Sequence, residues 1–186
     1  MEKPWYKKWW GILFILFVFV SLANIVLQQS IKVNQKKFEN LYHSAKAIEG
    51  SIEIGVNYRK FGELLQNFST EISIANDKAT TVEETELLNI YLEVLGIYQD
   101  SHRLWNSKIS LSCATFYPLP CPIPIGYIHV GKDDPILRKY DFSIFKTSDP
   151  GDYYFTCCYL PEDSIQIIWA KAHEKLEKAN NLYLGK

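Results

Sequence analysis

No Gly-x-Ser-x-Gly elbow, no Walker phosphate loop and no Gly-x-Gly-x-x-Gly turn occurs in the 186 residues. Those absences remove the α/β-hydrolase nucleophile, the P-loop and the dinucleotide cradle from consideration. His173-Glu174 is not followed by a second histidine at the spacing of a zinc-protease helix, and the other histidines, His43, His102 and His129, are scattered. Neither sign of charge is in excess, with 20 Lys and Arg against 21 Asp and Glu. Setting aside the first 31 residues, which hold Glu2, Lys3, Lys7 and Lys8, leaves 17 basic against 20 acidic side chains. That balance lacks the basic field that recruits nucleic acid. Repeats and low-complexity tracts are missing too, and aromatics at 15% exceed what a disordered segment carries, so the remainder is expected to fold.

Charge is wholly absent from one stretch, the 23 residues between Lys8 and Lys32. As a helix they would reach roughly 35 Å, against a hydrocarbon core of about 30 Å. The expectation is a basic tail over 1–8 and a transmembrane helix over 9–31, with Trp5, Tyr6, Lys7, Lys8, Trp9 and Trp10 as interface anchors and the lipid bilayer as partner. A cleaved signal peptide ending at Ser21-Leu22-Ala23 competes with this reading. The apolar run continues through Ile25, Val26 and Leu27, which favours a retained anchor. No cysteine lies at a plausible cleavage point, so a lipoprotein is not expected. Flanking charge is nearly tied, Lys3, Lys7 and Lys8 against Lys32, Lys36 and Lys37, with the basic cluster abutting the apolar run. The expected placement is a single-pass cell-membrane protein, N-terminus cytoplasmic and domain outside.

Beyond the anchor, apolar residues recur at helical spacing. Phe38, Leu41, Ala45, Ile48 and Ile52 form one stripe, which restarts out of phase as Tyr58, Phe61, Leu65, Phe68, Ile72 and Ala75. A break near Gly50 to Asn57 is therefore expected, with Gly55 as C-cap. Thr81-Val82-Glu83-Glu84 reads as a capping box opening a third helix. That helix carries two stripes, Leu88, Tyr91, Leu95, Tyr98, His102, Trp105 and Ile109 beside Leu87, Ile90, Val94, Ile97 and Leu104, which implies burial against more than one neighbour. A last helix is expected from Pro161-Glu162-Asp163-Ser164 to about Leu184, closed by Gly185. The fold class is mainly α: an antiparallel bundle of three to four helices, its first part over 32–109 and its completing helix over 161–186.

Between these parts, residues 110–160 form a different kind of sequence, with seven of the eight prolines in or bordering it. Helix is not expected there. Strand-like pieces at Gly126–Val130, Tyr140–Phe145 and Tyr153–Tyr159 predict an inserted flap, a small antiparallel sheet over the bundle end. Cys113, Cys121, Cys157 and Cys158 all lie in it. Outside the cytoplasm such a cluster reads as a staple: a Cys113–Cys121 bridge would contribute about 2.5 kcal/mol, a bridge from either to Cys157 or Cys158 roughly 4. Buried thiols are the alternative. The spacing lacks Cys-x-x-Cys and does not resemble a zinc site.

Other features carry plain structural readings. His102, on a buried stripe, reads as a core or boundary histidine, and Glu83, Glu84 and Glu86 as dipole-favouring residues at a helix start. Ser69, Ser101 and Ser107 are ordinary helical serines, and Asn67-Phe68-Ser69 is a chance sequon whose Phe68 belongs to an apolar stripe. Phe116-Tyr117-Pro118-Leu119-Pro120 and Tyr153-Tyr154-Phe155 read as the flap's own small core before a ligand groove.

The opening Lys3-Pro4-Trp5-Tyr6-Lys7-Lys8-Trp9-Trp10 resembles the start of many bacterial single-span membrane proteins. Gly55-Val56-Asn57-Tyr58-Arg59-Lys60-Phe61-Gly62-Glu63-Leu64-Leu65, the pair Tyr98 and Asp100 with Trp105, and Trp169-Ala170 with Ala172 are similar to a group of uncharacterised bacterial membrane-anchored helical proteins. The resemblance covers about half the chain and implies architecture, not activity. The Cys-rich flap departs from that group's simpler helical pattern. The expected function is a non-enzymatic binding or scaffolding module, without cofactor, metal or nucleic acid, that meets another membrane or envelope protein. A sensory ligand-binding domain resembling membrane-proximal four-helix sensors is the alternative, ahead of a thiol enzyme using the flap cysteines.

Overall fold

The computed structural model describes residues 17–18, 33–112, 124–148 and 156–186. Four long helices carry the fold: α1 (Gln35–Ile54), α2 (Tyr58–Asn76), α3 (Val82–Ser112) and, after an insertion, α5 (Ser164–Leu184). The insertion holds β1 (Tyr127–Val130), the short α4 (Pro135–Lys139), β2 (Phe145–Ser148) and β3 (Thr156–Pro161).

Each long helix packs on its chain neighbour, and α5 closes the ring on α1. Cross-helix bonds fix the directions. Tyr58 Oη donates to Asn106 Oδ1 at 3.1 Å across α2 and α3. Trp169 Nε1 donates to Ser101 Oγ at 3.0 Å across α3 and α5. Gln35 Nε2 donates to the Tyr183 carbonyl at 3.1 Å across α1 and α5. Residue numbers rise on one helix as they fall on its neighbour, so the bundle is an antiparallel up-down-up-down arrangement.

The sequence stripes are its core. Phe38, Leu41, Ala45 and Ile48 of α1 meet Phe61, Leu65, Phe68 and Ile72 of α2 and Ile168, Ala172, Leu176 and Ala179 of α5, all buried. Both α3 stripes are used: Leu87, Leu88, Tyr91, Val94, Ile97 and Tyr98 are buried, as two flanking helices and the insertion require. Full burial of the Phe, Leu and Ile side chains among them is worth about 1.5–3 kcal/mol each, enough to override the modest helix propensity of Phe and Ile. The break after α1 falls at Gly55, whose φ of 92° suits a residue without Cβ. Gly185 caps α5.

The capping box at the start of α3 forms with a one-residue shift. Thr81 Oγ1 accepts from the Glu84 N–H at 3.2 Å, while the Glu84 carboxylate takes the Thr80 N–H at 2.8 Å rather than that of Thr81.

The insertion is a three-stranded antiparallel sheet in the order β1-β3-β2, with Tyr127 opposite Pro161, Val130 opposite Cys158 and Phe145 opposite Tyr159. It differs from the expected flap in three ways. It contains a helical turn, α4, because Pro135 occupies the first turn, where its missing N–H has no intrahelical partner to lose, and Asp134 caps it by accepting from the Ile136 N–H at 2.9 Å. The second strand starts only at Phe145, since Tyr140 ends α4 and Asp141 takes a φ of 53°. The flap also lies along the flank of α3 rather than over the bundle end, tied by Arg103 to Asp134 and by Asp100 to Lys139 and Tyr140. Boundaries move accordingly, with α3 running to Ser112 and α5 beginning at Ser164, after Pro161 has ended β3.

The expected span over 9–31 lies outside the described residues apart from Phe17 and Val18. Among the described residues no helix is long and apolar enough to cross a membrane.

Candidate functional site

Of the described residues singled out by sequence, Cys158, His43, His102 and His129 lie on four different elements. Cys113 and Cys121 lie outside the described residues, as do Phe116, Tyr117 and Tyr153 to Phe155. Cys157 is placed only by its backbone pairing with Thr147. Cys158 is 1% exposed with a free thiol, and no disulfide is formed among the described residues. His43 is exposed on α1, and His129 sits on β1 with its ring 5.8 Å from Tyr159. His102 stacks on Tyr58 at 4.4 Å, close over Gly62. A Cβ at position 62 would come within 3.1 Å of its Nε2, so glycine makes room for the ring. Burial holds the His102 imidazole below its ordinary pKa.

The structure assembles a different site, on the seam between α1 and α5. A groove of about 540 Å³ is lined by Glu49, Ile52 and Glu53 of α1, by Tyr98 of α3, and by Gln166, Trp169, Ala170 and His173 of α5. That volume lies in the range of small-molecule sites, about 300–1,000 Å³. Glu49 follows Ile48 on α1, so the buried stripe carries it inward, and its side chain is only 10% exposed. Burying a carboxylate this far requires partners. Oε1 lies 2.7 Å from His173 Nδ1, and Oε2 accepts from Lys46. Lys46 is pushed above its ordinary value by that hydrogen bond, with burial opposing. The outer nitrogen of His173 faces Glu177 at 3.7 Å.

Tyr98 forms part of the floor. Burial, reinforced by the Glu49 charge, pushes its phenol far above the usual tyrosine value. Trp169 forms a wall and is fixed from behind. Its Nε1 donates to Ser101, whose Oγ donates in turn to the Tyr98 carbonyl at 2.7 Å. Phe61 and Trp105 meet its ring edge-on at 5.5 and 5.7 Å. The wall is thereby pre-organised, with little rotamer freedom left to lose when something packs against it.

Sequence inspection missed this site because Glu49 and His173 are 124 positions apart and neither belongs to a motif. The available signal was an acidic residue one place off an apolar stripe, and Trp169 one place after Ile168. Among the described residues no group of three or more His, Cys, Asp or Glu is placed to hold a metal ion. No family model matches the chain, and no curated protein or solved structure matches it either.

Proposed function

We propose that this protein is a non-enzymatic binding module, held at a bilayer by the uncharged run over 9–31 with its helical domain outside the cytoplasm, and that the α1/α5 groove is where it takes a small ligand. The carrying observation is a buried carboxylate, Glu49, opening into a concave site beside the immobilised ring of Trp169. Apolar walls with a few convergent polar groups are the usual make-up of a ligand site.

A sensory role for the same groove has one observation in its favour. The helix that carries Glu49, Ile52 and Glu53 starts at Gln35, three residues past Lys32, so a ligand drawing the far end of α1 towards α5 moves a rod whose near end adjoins the proposed anchor. Such a module would signal through another membrane or envelope protein.

Ala170 lines the groove and is exposed, so Ala170→Phe fills the site without disturbing the core. Ligand-observed NMR with a library of small aromatic and aliphatic fragments is expected to find binders that lose contact in this variant while its Tm stays unchanged. Binders indifferent to Ala170→Phe would remove the groove from the account. Sidedness is read by labelling His43→Cys, an exposed α1 position, with an impermeant thiol reagent on intact cells. Labelling only after permeabilisation would sink the outward placement.

A further inference from the structure

The groove's lining has a chemical sign. Its charged lining residues are two carboxylates, Glu49 and Glu53, and a third, Glu177, stands on the rim beyond His173. Lys46 is the permanent cation among the residues holding Glu49, and it occupies Oε2 alone. Oε1 is held instead by His173, a side chain half-exposed at the mouth. Glu53, exposed beside it, forms no ion pair among the described residues. The opposite wall is the indole of Trp169, with the Tyr98 ring on the floor and Ile52 and Ala170 between. Aromatic faces attract cations through their quadrupole, most strongly when water is excluded. A carboxylate beside an aromatic wall selects a positive head on an apolar body, and the same arrangement repels an anion.

Resting on the groove reading above, we propose that the ligand class is a small organic ammonium ion. Its N–H groups take the place of His173 on Glu49 Oε1, its charge lies between Glu49 and Glu53, and its carbon skeleton packs on Trp169 and Ile52. The primary ammonium fits better than a quaternary one, because the carboxylate oxygens accept hydrogen bonds that only an N–H donor supplies.

The test uses the full chain in detergent micelles and three probes of matched shape: benzylammonium, benzyl alcohol and benzoate. Isothermal titration is expected to show benzylammonium binding about tenfold or more tighter than the alcohol, with benzoate weakest. Glu53→Gln, at an exposed position that leaves the fold intact, is expected to weaken benzylammonium several-fold and leave the alcohol unchanged. Glu49→Gln is expected to weaken benzylammonium more than Glu53→Gln does, again leaving the alcohol unchanged. Should that variant lose its helical circular dichroism, the Glu53→Gln comparison decides alone. Equal affinities, a reversed order or no binding by any of the three overturns the ammonium assignment. Fragments still expelled by Ala170→Phe would in that case leave the groove itself standing, so the two ideas fail separately.

Discussion

Lys37 Nζ lies 3.0 Å from Glu84 Oε2, joining the first turns of α1 and α3, two helices that run in the same direction from one end of the bundle. Glu84 is 1% exposed, and the Thr80 N–H and hydroxyl converge on the same carboxylate at 2.8 and 3.2 Å. Burial by itself would raise this carboxyl's pKa, but the Thr80 N–H and Lys37 outweigh it and hold the group below its ordinary value. A carboxylate whose folded pKa is depressed stabilises the fold above its unfolded pKa, near 4.3, and loses that contribution as pH falls through the folded one. Glu84→Gln is therefore expected to cost about 2 kcal/mol at pH 7 in urea unfolding and progressively less on acidification. A cost that does not shrink between pH 6 and about pH 3 would contradict this.

His102 supplies the opposite pH window. Its imidazole is held below the ordinary value by burial, so the folded state favours the neutral ring. The unfolded chain then binds the extra proton first, and stability is full above about pH 6.5 and declines as pH falls below it. His102→Phe, which keeps the stack on Tyr58, is expected to flatten the stability profile between about pH 7 and pH 5. The check is a series of thermal melts of both proteins, and an unchanged slope in the variant would assign the pH dependence to another group.

The flap is tied to the bundle by a two-point contact. Arg103 Nη1 and Nη2 donate to Asp134 Oδ2 and Oδ1 at 2.8 and 2.9 Å, and Asp134 also caps α4. One turn earlier on α3, Asp100 takes the Lys139 ammonium at 2.6 Å and the Tyr140 hydroxyl at 2.9 Å. Arg103→Lys removes the fork but keeps the charge. Amide hydrogen exchange in β1 and β3 is expected to quicken while α1 and α2 keep their protection, at a global cost below about 1 kcal/mol because the arginine is half-exposed. Uniform loss of protection across the bundle would show instead that the flap and the helices unfold together.

Most of the helical architecture is legible in the stripes because helix burial is periodic and local. Phe61, Leu65, Phe68 and Ile72 announce a buried face by spacing alone, and the phase slip before Tyr58 announces a break. What escaped was decided by distant partners. Glu84 looks like an ordinary acidic residue of a first turn until Lys37, 47 positions earlier, is placed against it. Pro135 reads as a helix breaker, and only its position after the Asp134 cap makes it a helix starter. Glu49 and His173 meet because α1 and α5 are neighbours in the ring, which no local pattern encodes.

The insertion between α3 and α5 also sets an order on assembly. α1, α2 and α3 are joined by links of a few residues, whereas 51 residues separate Ser112 from Ser164. Closing a loop that long costs roughly 3.5 kcal/mol of chain entropy, so three helices can form a hairpin stack well before the fourth arrives. The wall made by Trp169 is carried by the late-docking helix. On this ground the groove is expected to form last in folding, and in a variant that keeps Trp169 as its single tryptophan, the other four replaced by Phe, its stopped-flow fluorescence change should lag the gain of helical circular dichroism.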